Sequence, residues 1–227
     1  SSASCVTPPR RAPAWGRGGP GLYLSGVSGT NPLQVMPSMT GDLARVEDEL
    51  LASARSGDPF LTEIASHLIV AGGKRLRPVL SIVAAQIGGQ PASDDVVRGG
   101  VSCELVHLGS LYHDDVMDEA DTRRGVETVN AKWGNLQAIL AGDFLLSRAS
   151  EIAASLGTEV AGLLARTIGW LCEGQIEELR FTYDTARTED SYYTSIHGKT
   201  ASLYGTAARI GGIVAGHDQQ TIEALTA

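Results

Sequence analysis

The stretch SDDVVRGGVSCELVHLGSLYHDDVMDEAD, residues 93–121, decides the fold. It opens with Ser93, a residue type that strongly favours the N-cap position of an α-helix. Apolar residues then recur at the helical period, at Val96, Val97, Val101, Leu105, Leu108 and Leu111. The spacing predicts one long helix with a buried face. That helix ends in acids, because five of the eight residues from Asp114 to Asp121 are Asp or Glu.

The helical period continues on both sides of this stretch, from Thr40 to the C-terminus. On the N-terminal side it predicts helices that begin at Thr40, at the Asp58-Pro59 N-cap and after Pro78; the second ends at Gly72-Gly73 and the third near Gly88-Gly89. On the C-terminal side it predicts a loop around 122–134, helices over 136–156, 159–181 and 189–211, and a further helix around Ile222. The nearly all-apolar segment 136–156 should be buried on most sides. We therefore expect an all-α fold, a bundle of long, mostly antiparallel helices with short connections.

The composition excludes several classes of protein. The 227 residues include 18 Lys and Arg against 26 Asp and Glu, a net charge of −8, which argues against a nucleic-acid-binding protein. Cys5, Cys103 and Cys172 lie far apart and have no zinc-site spacing, so we expect reduced thiols and a cytoplasmic protein. The longest uncharged stretch, 18–41, is too rich in Gly, Pro and Ser to form a transmembrane helix.

The N-terminal region differs from the rest of the chain. Residues 1–38 lack acids and are interrupted by prolines, and we interpret them as a disordered extension, with Met36 or Met39 as a sensible natural start. The helical domain should then occupy residues 39–227.

The acidic cluster suggests a metal site. Carboxylates at a helix C-terminus meet the negative end of the helix dipole and repel one another, so their placement is unfavourable without a cation. Asp114 and Asp118 are four residues apart and project about 40° apart around the axis and roughly 6 Å along it, with Asp115 beside them. One or two carboxylates per ion, completed by phosphate oxygens, are typical of Mg²⁺. The alternative is a solvated acidic helix end.

Three cationic segments complement the acids. GGKRLRP at 72–78 places cations at the start of a helix, where a phosphate would be bound well, and Arg77 should be extended because it precedes Pro78. Arg123 and Arg124 follow the acids and could either neutralise them or bind a diphosphate. Lys199 and Thr200 interrupt a helix of small residues. Each segment alone could be an ordinary basic loop or an exposed lysine. Together they describe a site for two diphosphates bridged by Mg²⁺.

The sequence resembles the trans-isoprenyl diphosphate synthases, or polyprenyl synthetases, from about residue 40 to the C-terminus. The resemblance rests on six motifs in matching order: GGKRLRP at 72–78, DDVMD at 114–118, TRRG at 122–125, WGN at 133–135, AGDFLL at 141–146 and KT at 199–200. It implies a helical bundle around a deep central cavity, usually as a homodimer. It also implies the head-to-tail condensation of an allylic diphosphate with isopentenyl diphosphate.

The resemblance assigns expected roles to individual residues. Asp114 and Asp118 would hold Mg²⁺, and together with Asp115 and Lys199 they form the expected catalytic set. The allylic diphosphate would be bound by Arg123, Lys199 and Thr200, and isopentenyl diphosphate by Lys74, Arg77, His107 and Arg124. In the family, residues four and five positions before the first aspartate limit the length of the product. Here they are the small Ser110 and Gly109, so we expect a medium or long chain, as in a quinone side chain.

The chain departs from the family pattern in one respect. The family has a second aspartate-rich motif on a later helix, and this sequence reaches Ala227 without one. We therefore expect a truncated domain that is inactive or nearly so alone. Two alternatives remain open: a class I terpene cyclase, against which GGKRLRP and Arg124 count because a cyclase needs no isopentenyl diphosphate site, and a non-catalytic subunit of a heteromeric synthase.

Overall fold

The computed structural model describes residues 36–226, which form a bundle of α-helices and confirm the all-α prediction. The helices are α1 (Met39–Ser53), α2 (Pro59–Val70), α3 (Leu76–Gln86), α4 (Asp94–Met117), α5 (Val129–Trp133), α6 (Asn135–Ser155), α7 (Thr158–Arg180), α8 (Glu189–Ile196), α9 (Ser202–Val214) and α10 (Gln219–Thr226). A π-helical turn, His197–Ala201, joins α8 to α9. Two short antiparallel strands, β1 (Thr122–Arg123) and β2 (Val126–Glu127), follow α4. The disordered extension was predicted for residues 1–38, and residues 1–35 of it lie outside this range.

The long helix α4 runs through the centre of the bundle and packs against α3, α6 and α9. Its start is the predicted one, since the Ser93 side chain accepts a hydrogen bond from the Val96 amide at 3.3 Å. Glycines allow its neighbours to approach closely: a Cβ on Gly100 would lie 2.7 Å from the Cα of Pro78, and one on Gly109 would lie 2.9 Å from the carbonyl oxygen of Gly142 in α6. This central position holds the acidic end of α4 at a fixed place in the fold.

Three local predictions were wrong. First, α3 begins at Leu76, and Arg77 is helical rather than extended, because a proline is tolerated in the first turn of a helix. Second, the loop predicted around 122–134 contains the β1–β2 hairpin and α5. Third, the helix predicted over 189–211 is divided by the π-helical turn.

The burial of α6 also differs from the prediction. Within the single chain, Leu136 is 73% exposed, Leu140 is 64% exposed and Ile139 is 41% exposed, although Leu145 and Ile152 are buried in the core. The N-terminal half of α6 therefore presents an apolar surface outward. Among the described helices, none combines the length and hydropathy that a membrane crossing requires.

Candidate active site

Two neighbouring cavities contain most of the predicted site residues. The first, here called the basic cavity, has a volume of about 450 Å³ and is lined by Ala71–Arg77, Glu104, His107, Arg124 and Tyr204. The second, the apolar cavity, has a volume of about 420 Å³; its walls include Leu111, Met117, Leu171, Ile176 and Leu179, together with Ser110, Asp114, Lys199 and Thr200. Arg77 and His107 line both cavities, so they stand at the boundary between them.

The acidic end of α4 lies beside the apolar cavity. Asp114 is half-buried in its wall, and burial raises the pKa of this carboxyl group, as does the nearby charge of Asp118, whereas Lys199 opposes the rise. Asp118 is the C-cap residue of α4 and is exposed. Asp115 is buried: its Oδ1 accepts a bond from Arg123 Nε at 2.5 Å, and its Oδ2 has no partner among the described residues.

In the β1–β2 hairpin after α4, Arg123 and Arg124 contact different parts of the protein. Arg124 and Gly125 both have positive φ angles, as a two-residue type I′ turn requires, and side chains alternate along the flanking strands. Arg123 points to Asp115. Arg124 lines the basic cavity and donates hydrogen bonds from Nη1 to the carbonyl oxygens of Leu68, at 3.1 Å, and Gly72. From the sequence, these two arginines could either form salt bridges with the acids or bind a diphosphate. Arg123 forms such a salt bridge, with Asp115.

The basic cavity contains cations whose donor groups are free. Lys74 is exposed and has no hydrogen-bond or ion-pair partner within residues 36–226. The guanidinium of the buried Arg77 lies 4.6 Å from the ring centre of Tyr204, and its Nε has no partner in the described part of the chain. His107 lies beside them; burial and the charges of Arg77 and Arg124 lower its pKa to about 3. His107 is therefore neutral at physiological pH, and Lys74 and Arg77 supply the unpaired positive charge of this cavity.

Lys199 lines the apolar cavity because the π-helical turn that contains it packs closely against α7. A Cβ on Gly174 would contact the backbone nitrogen of Lys199, and one on Gly198 would lie 2.8 Å from the carbonyl oxygen of Trp170. In this position Lys199 Nζ donates to Glu178 Oε2 at 2.6 Å. Sequence reasoning missed Glu178 and this crossing. The signal was present, since glycine inside a helix often marks a close approach of another backbone.

The two residues predicted to limit product length lie on different faces of α4. Ser110 is in the wall of the apolar cavity. Gly109 is packed against α6, where its Cβ would meet Gly142 and Leu146. The role of Gly109 stays a prediction, but only Ser110 of this pair is in the cavity wall.

The donor set of the acidic end fits a divalent cation that is shared with a bound ligand. No group of three or more His, Cys, Asp or Glu side chains within residues 36–226 is placed to hold a metal ion unaided. Asp114 and Asp118 supply carboxylate oxygens, and the unpartnered Oδ2 of the buried Asp115 lies in the same helix end. Two carboxylates completed by phosphate oxygens and water are a common magnesium arrangement.

Known proteins share the sequence pattern and the fold of this chain. The family model described as Polyprenyl synthetase matches residues 58–227. The nonaprenyl diphosphate synthase of Mycobacterium tuberculosis is 43% identical over 184 residues, which cover 81% of this chain and 55% of that protein. The crystal structure of a decaprenyl diphosphate synthase from Rhodobacter capsulatus is 36% identical with a TM-score of 0.79, covering 83% of this chain and 58% of that one.

A third relative was solved with ligands. The polyprenyl synthase from Caulobacter crescentus CB15, complexed with calcium and isoprenyl diphosphate, is 34% identical with a TM-score of 0.79, covering 82% of this chain and 57% of that one. The chain thus spans somewhat more than half the length of the relatives it matches. The chain belongs to the polyprenyl synthetase family.

Proposed function

We propose that this chain forms the substrate-binding region of a prenyltransferase that condenses an allylic diphosphate, head to tail, with isopentenyl diphosphate. The observation that carries the proposal is the pair of adjoining cavities with different chemistry. One cavity has free cationic groups, and the other has apolar walls with Asp114 and Lys199 in its lining. Two substrates that must meet, of which only one has a long apolar tail, require this arrangement.

Isopentenyl diphosphate fits the basic cavity. Lys74, Arg77 and Arg124 provide positive charge for a diphosphate, and the residues of this cavity include no pair of carboxylates that a metal ion could bridge. We therefore expect isopentenyl diphosphate to bind without a divalent cation. Its carbon chain would extend toward His107 and Arg77, which line both cavities.

The allylic substrate fits the apolar cavity. Its tail would lie among Leu111, Leu171 and Leu179, and its diphosphate would lie near Asp114 and Lys199. Asp114 and Asp118 would hold Mg²⁺, with Asp115 assisting; the bound ion would stabilise negative charge on the departing diphosphate.

The protein side chains contribute binding and orientation. Lys199 would exchange its contact with Glu178 for a phosphate oxygen, Thr200 would donate its hydroxyl, and Arg123 would share its guanidinium between Asp115 and the diphosphate. His107 is a weak base, since its pKa is about 3. We infer that the proton lost after condensation goes to the released diphosphate and not to this ring.

The finer features of the proposal concern product, assembly and location. Ser110 has a small side chain and lines the apolar cavity, so it leaves room for a growing chain, which supports a medium or long product. The exposed apolar residues of α6 support a homodimer. Condensation by these 227 residues alone should be weak or absent, because no group of three or more His, Cys, Asp or Glu side chains within residues 36–226 is placed to hold a metal ion. The free thiols of Cys103 and Cys172 are consistent with a cytoplasmic protein.

The proposal is tested by calorimetric binding of each substrate with and without Mg²⁺. Isopentenyl diphosphate should bind in either condition, and a non-hydrolysable farnesyl diphosphate analogue should bind only with Mg²⁺. Asp114→Asn should weaken binding of the analogue by about 100-fold without changing that of isopentenyl diphosphate. Asp121→Asn, an exposed acid outside both cavities, is the matched control.

Three outcomes would contradict the proposal. Analogue binding that is indifferent to Mg²⁺, or equally weakened by both variants, would remove the metal site. Release of a hydrocarbon from an allylic diphosphate alone, detected by mass spectrometry, would instead indicate a terpene cyclase.

A further inference from the structure

The arginine in the middle of the basic loop does not project into the basic cavity as a free cation. Arg75 lies between Lys74 and Arg77 but is only 3% exposed. Its guanidinium makes a fork with Glu47 of α1, with Nε to Oε1 at 2.6 Å and Nη2 to Oε2 at 3.0 Å. It also contacts Glu104 of α4 at 3.3 Å and the carbonyl oxygen of Ile69 in α2 at 3.0 Å. One side chain thus connects three helices around the loop.

The backbone at Arg75 is strained, and the strain shapes the cavity. Arg75 has a left-handed conformation, with φ 49° and ψ 38°, and it occupies the N-cap position of α3 without a side-chain cap. This conformation is unfavourable for a residue with a Cβ and persists only where the surroundings enforce it. It reverses the chain between Lys74 and the first turn of α3, so that both Lys74 and Arg77 line the basic cavity.

The carboxylate of Glu104 offsets part of the repulsion between the arginines that line the basic cavity. Arg75 and Arg124 repel each other, and Glu104 opposes that repulsion. Glu104 is 2% exposed, and its Oε2 has no partner in the part of the chain that is described. A carboxylate in the wall of an anion-binding cavity would repel a diphosphate unless a fixed cation held it. Arg75 is that cation, and Glu104 lies one helical turn before His107.

We propose that Arg75 is a positioning residue for the basic cavity, clamped by Glu47 and Glu104 so that Lys74 and Arg77 are held in the geometry that binds a diphosphate. This inference rests on the proposed function of that cavity. It makes Glu47 informative, because Glu47 lines neither cavity but binds Arg75: release of the clamp should weaken diphosphate binding, whereas simple removal of a repelling negative charge should strengthen it.

The test is calorimetric titration of isopentenyl diphosphate, without metal, into five proteins: the wild type, Glu47→Gln, Arg75→Lys, the double variant of these two changes, and Glu49→Gln. Glu49 is the matched control, since it lies on the same helix, is similarly exposed and pairs at 3.5 Å with Arg98, which is outside both cavities. We expect Glu47→Gln and Arg75→Lys each to bind about tenfold more weakly than the wild type, and Glu49→Gln to bind equally well. The double variant should be no weaker than the weaker single variant, because both changes release the same clamp.

The magnesium-dependent binding of a farnesyl diphosphate analogue separates positioning from general destabilisation. It should be unchanged in all variants, and a parallel loss of both ligands would show that Arg75 is only structural. If Arg75 instead bound the diphosphate directly, Arg75→Lys would keep most of the affinity and Glu47→Gln would raise it, and either result would overturn the inference. Absence of binding by the wild type would overturn the proposed function of the cavity itself, and the inference with it.

Discussion

Among single residues, His107 has the most strongly altered ionisation of the groups at the two cavities. Burial and the neighbouring arginines lower its pKa to about 3 in the folded protein, whereas an unfolded histidine titrates near its ordinary value of about 6.5. Between these values the unfolded state binds a proton that the folded state does not, so stability should fall as the pH is lowered through this window.

This effect can be measured from urea unfolding at pH 5 and pH 7. The free energy of unfolding of the wild type should drop by about 2 kcal/mol more than that of His107→Gln over this interval. Equal pH dependence of the two proteins would contradict the assigned pKa. Added isopentenyl diphosphate should raise the pKa of His107 in an NMR titration, because a bound anion stabilises the protonated ring.

The position of Ser110 in the cavity wall leads to a prediction about product length. The substitution would be tested in a protein that catalyses the condensation. Ser110→Phe should shorten the product, because the ring would fill part of the apolar cavity near Leu111. The products would be identified by mass spectrometry. Leu146→Phe, on α6 against Gly109 and away from the cavity lining, is a control that should leave the length unchanged. Unchanged products in Ser110→Phe would mean that another residue ends the cavity.

Gly109, the other residue predicted to limit product length, is less suitable for such a substitution. Its Cβ would already lie 2.9 Å from the carbonyl oxygen of Gly142, so a phenylalanine there would disturb the packing of α4 against α6. A change in product length in that variant would not separate a filled cavity from a displaced helix.

At the scale of elements, the crossing of α7 with the π-helical turn places Lys199. Gly174→Ala should destabilise the protein by about 2 kcal/mol or more and weaken analogue binding, because the new methyl group would contact backbone atoms of Lys199 and Ser195. Gly169→Ala on the same helix meets nothing within 4 Å and should stabilise by about 0.5–1 kcal/mol. Denaturant unfolding of both variants measures the difference, and similar values would contradict the close crossing.

The elements also show where sequence patterns succeed and fail. Ser93 and Asp58 marked the starts of α4 and α2 correctly, because an N-cap is a local hydrogen bond between a side chain and a nearby amide. The π-helical turn and the β1–β2 hairpin were not predicted. Neither feature has a clear local sequence signal. Each is associated with a contact to a helix distant in the sequence: the π-helical turn packs against α7, and Arg124 in the hairpin turn bonds to α2.

For the whole molecule, the exposed apolar surface of α6 predicts self-association. Leu140→Glu should convert a dimer into a monomer in sedimentation velocity experiments, because a charge would be buried in the interface. Val70→Glu is the matched control, since Val70 on α2 is 74% exposed and outside this surface. If Leu140→Glu remained a dimer, this surface would not be the interface. If the wild type were a monomer, the surface would not mediate self-association, and a different chain would be the candidate partner.

The helical fold, the ends of several helices and the presence of acidic and basic clusters could be predicted from the sequence alone. These follow from the period of apolar residues and from charges that are unfavourable at helix ends unless ions of opposite sign bind there. The tertiary structure distinguished Lys74 and Arg77, which have no carboxylate partner in the described part of the chain, from Arg75, whose guanidinium is bound by Glu47 and Glu104. It also sent Arg123 to Asp115 and Arg124 to α2, and it joined Lys199 to Glu178. Which of several adjacent cations binds a ligand depends on side-chain direction and on carboxylates distant in sequence, and a linear pattern of charges contains neither.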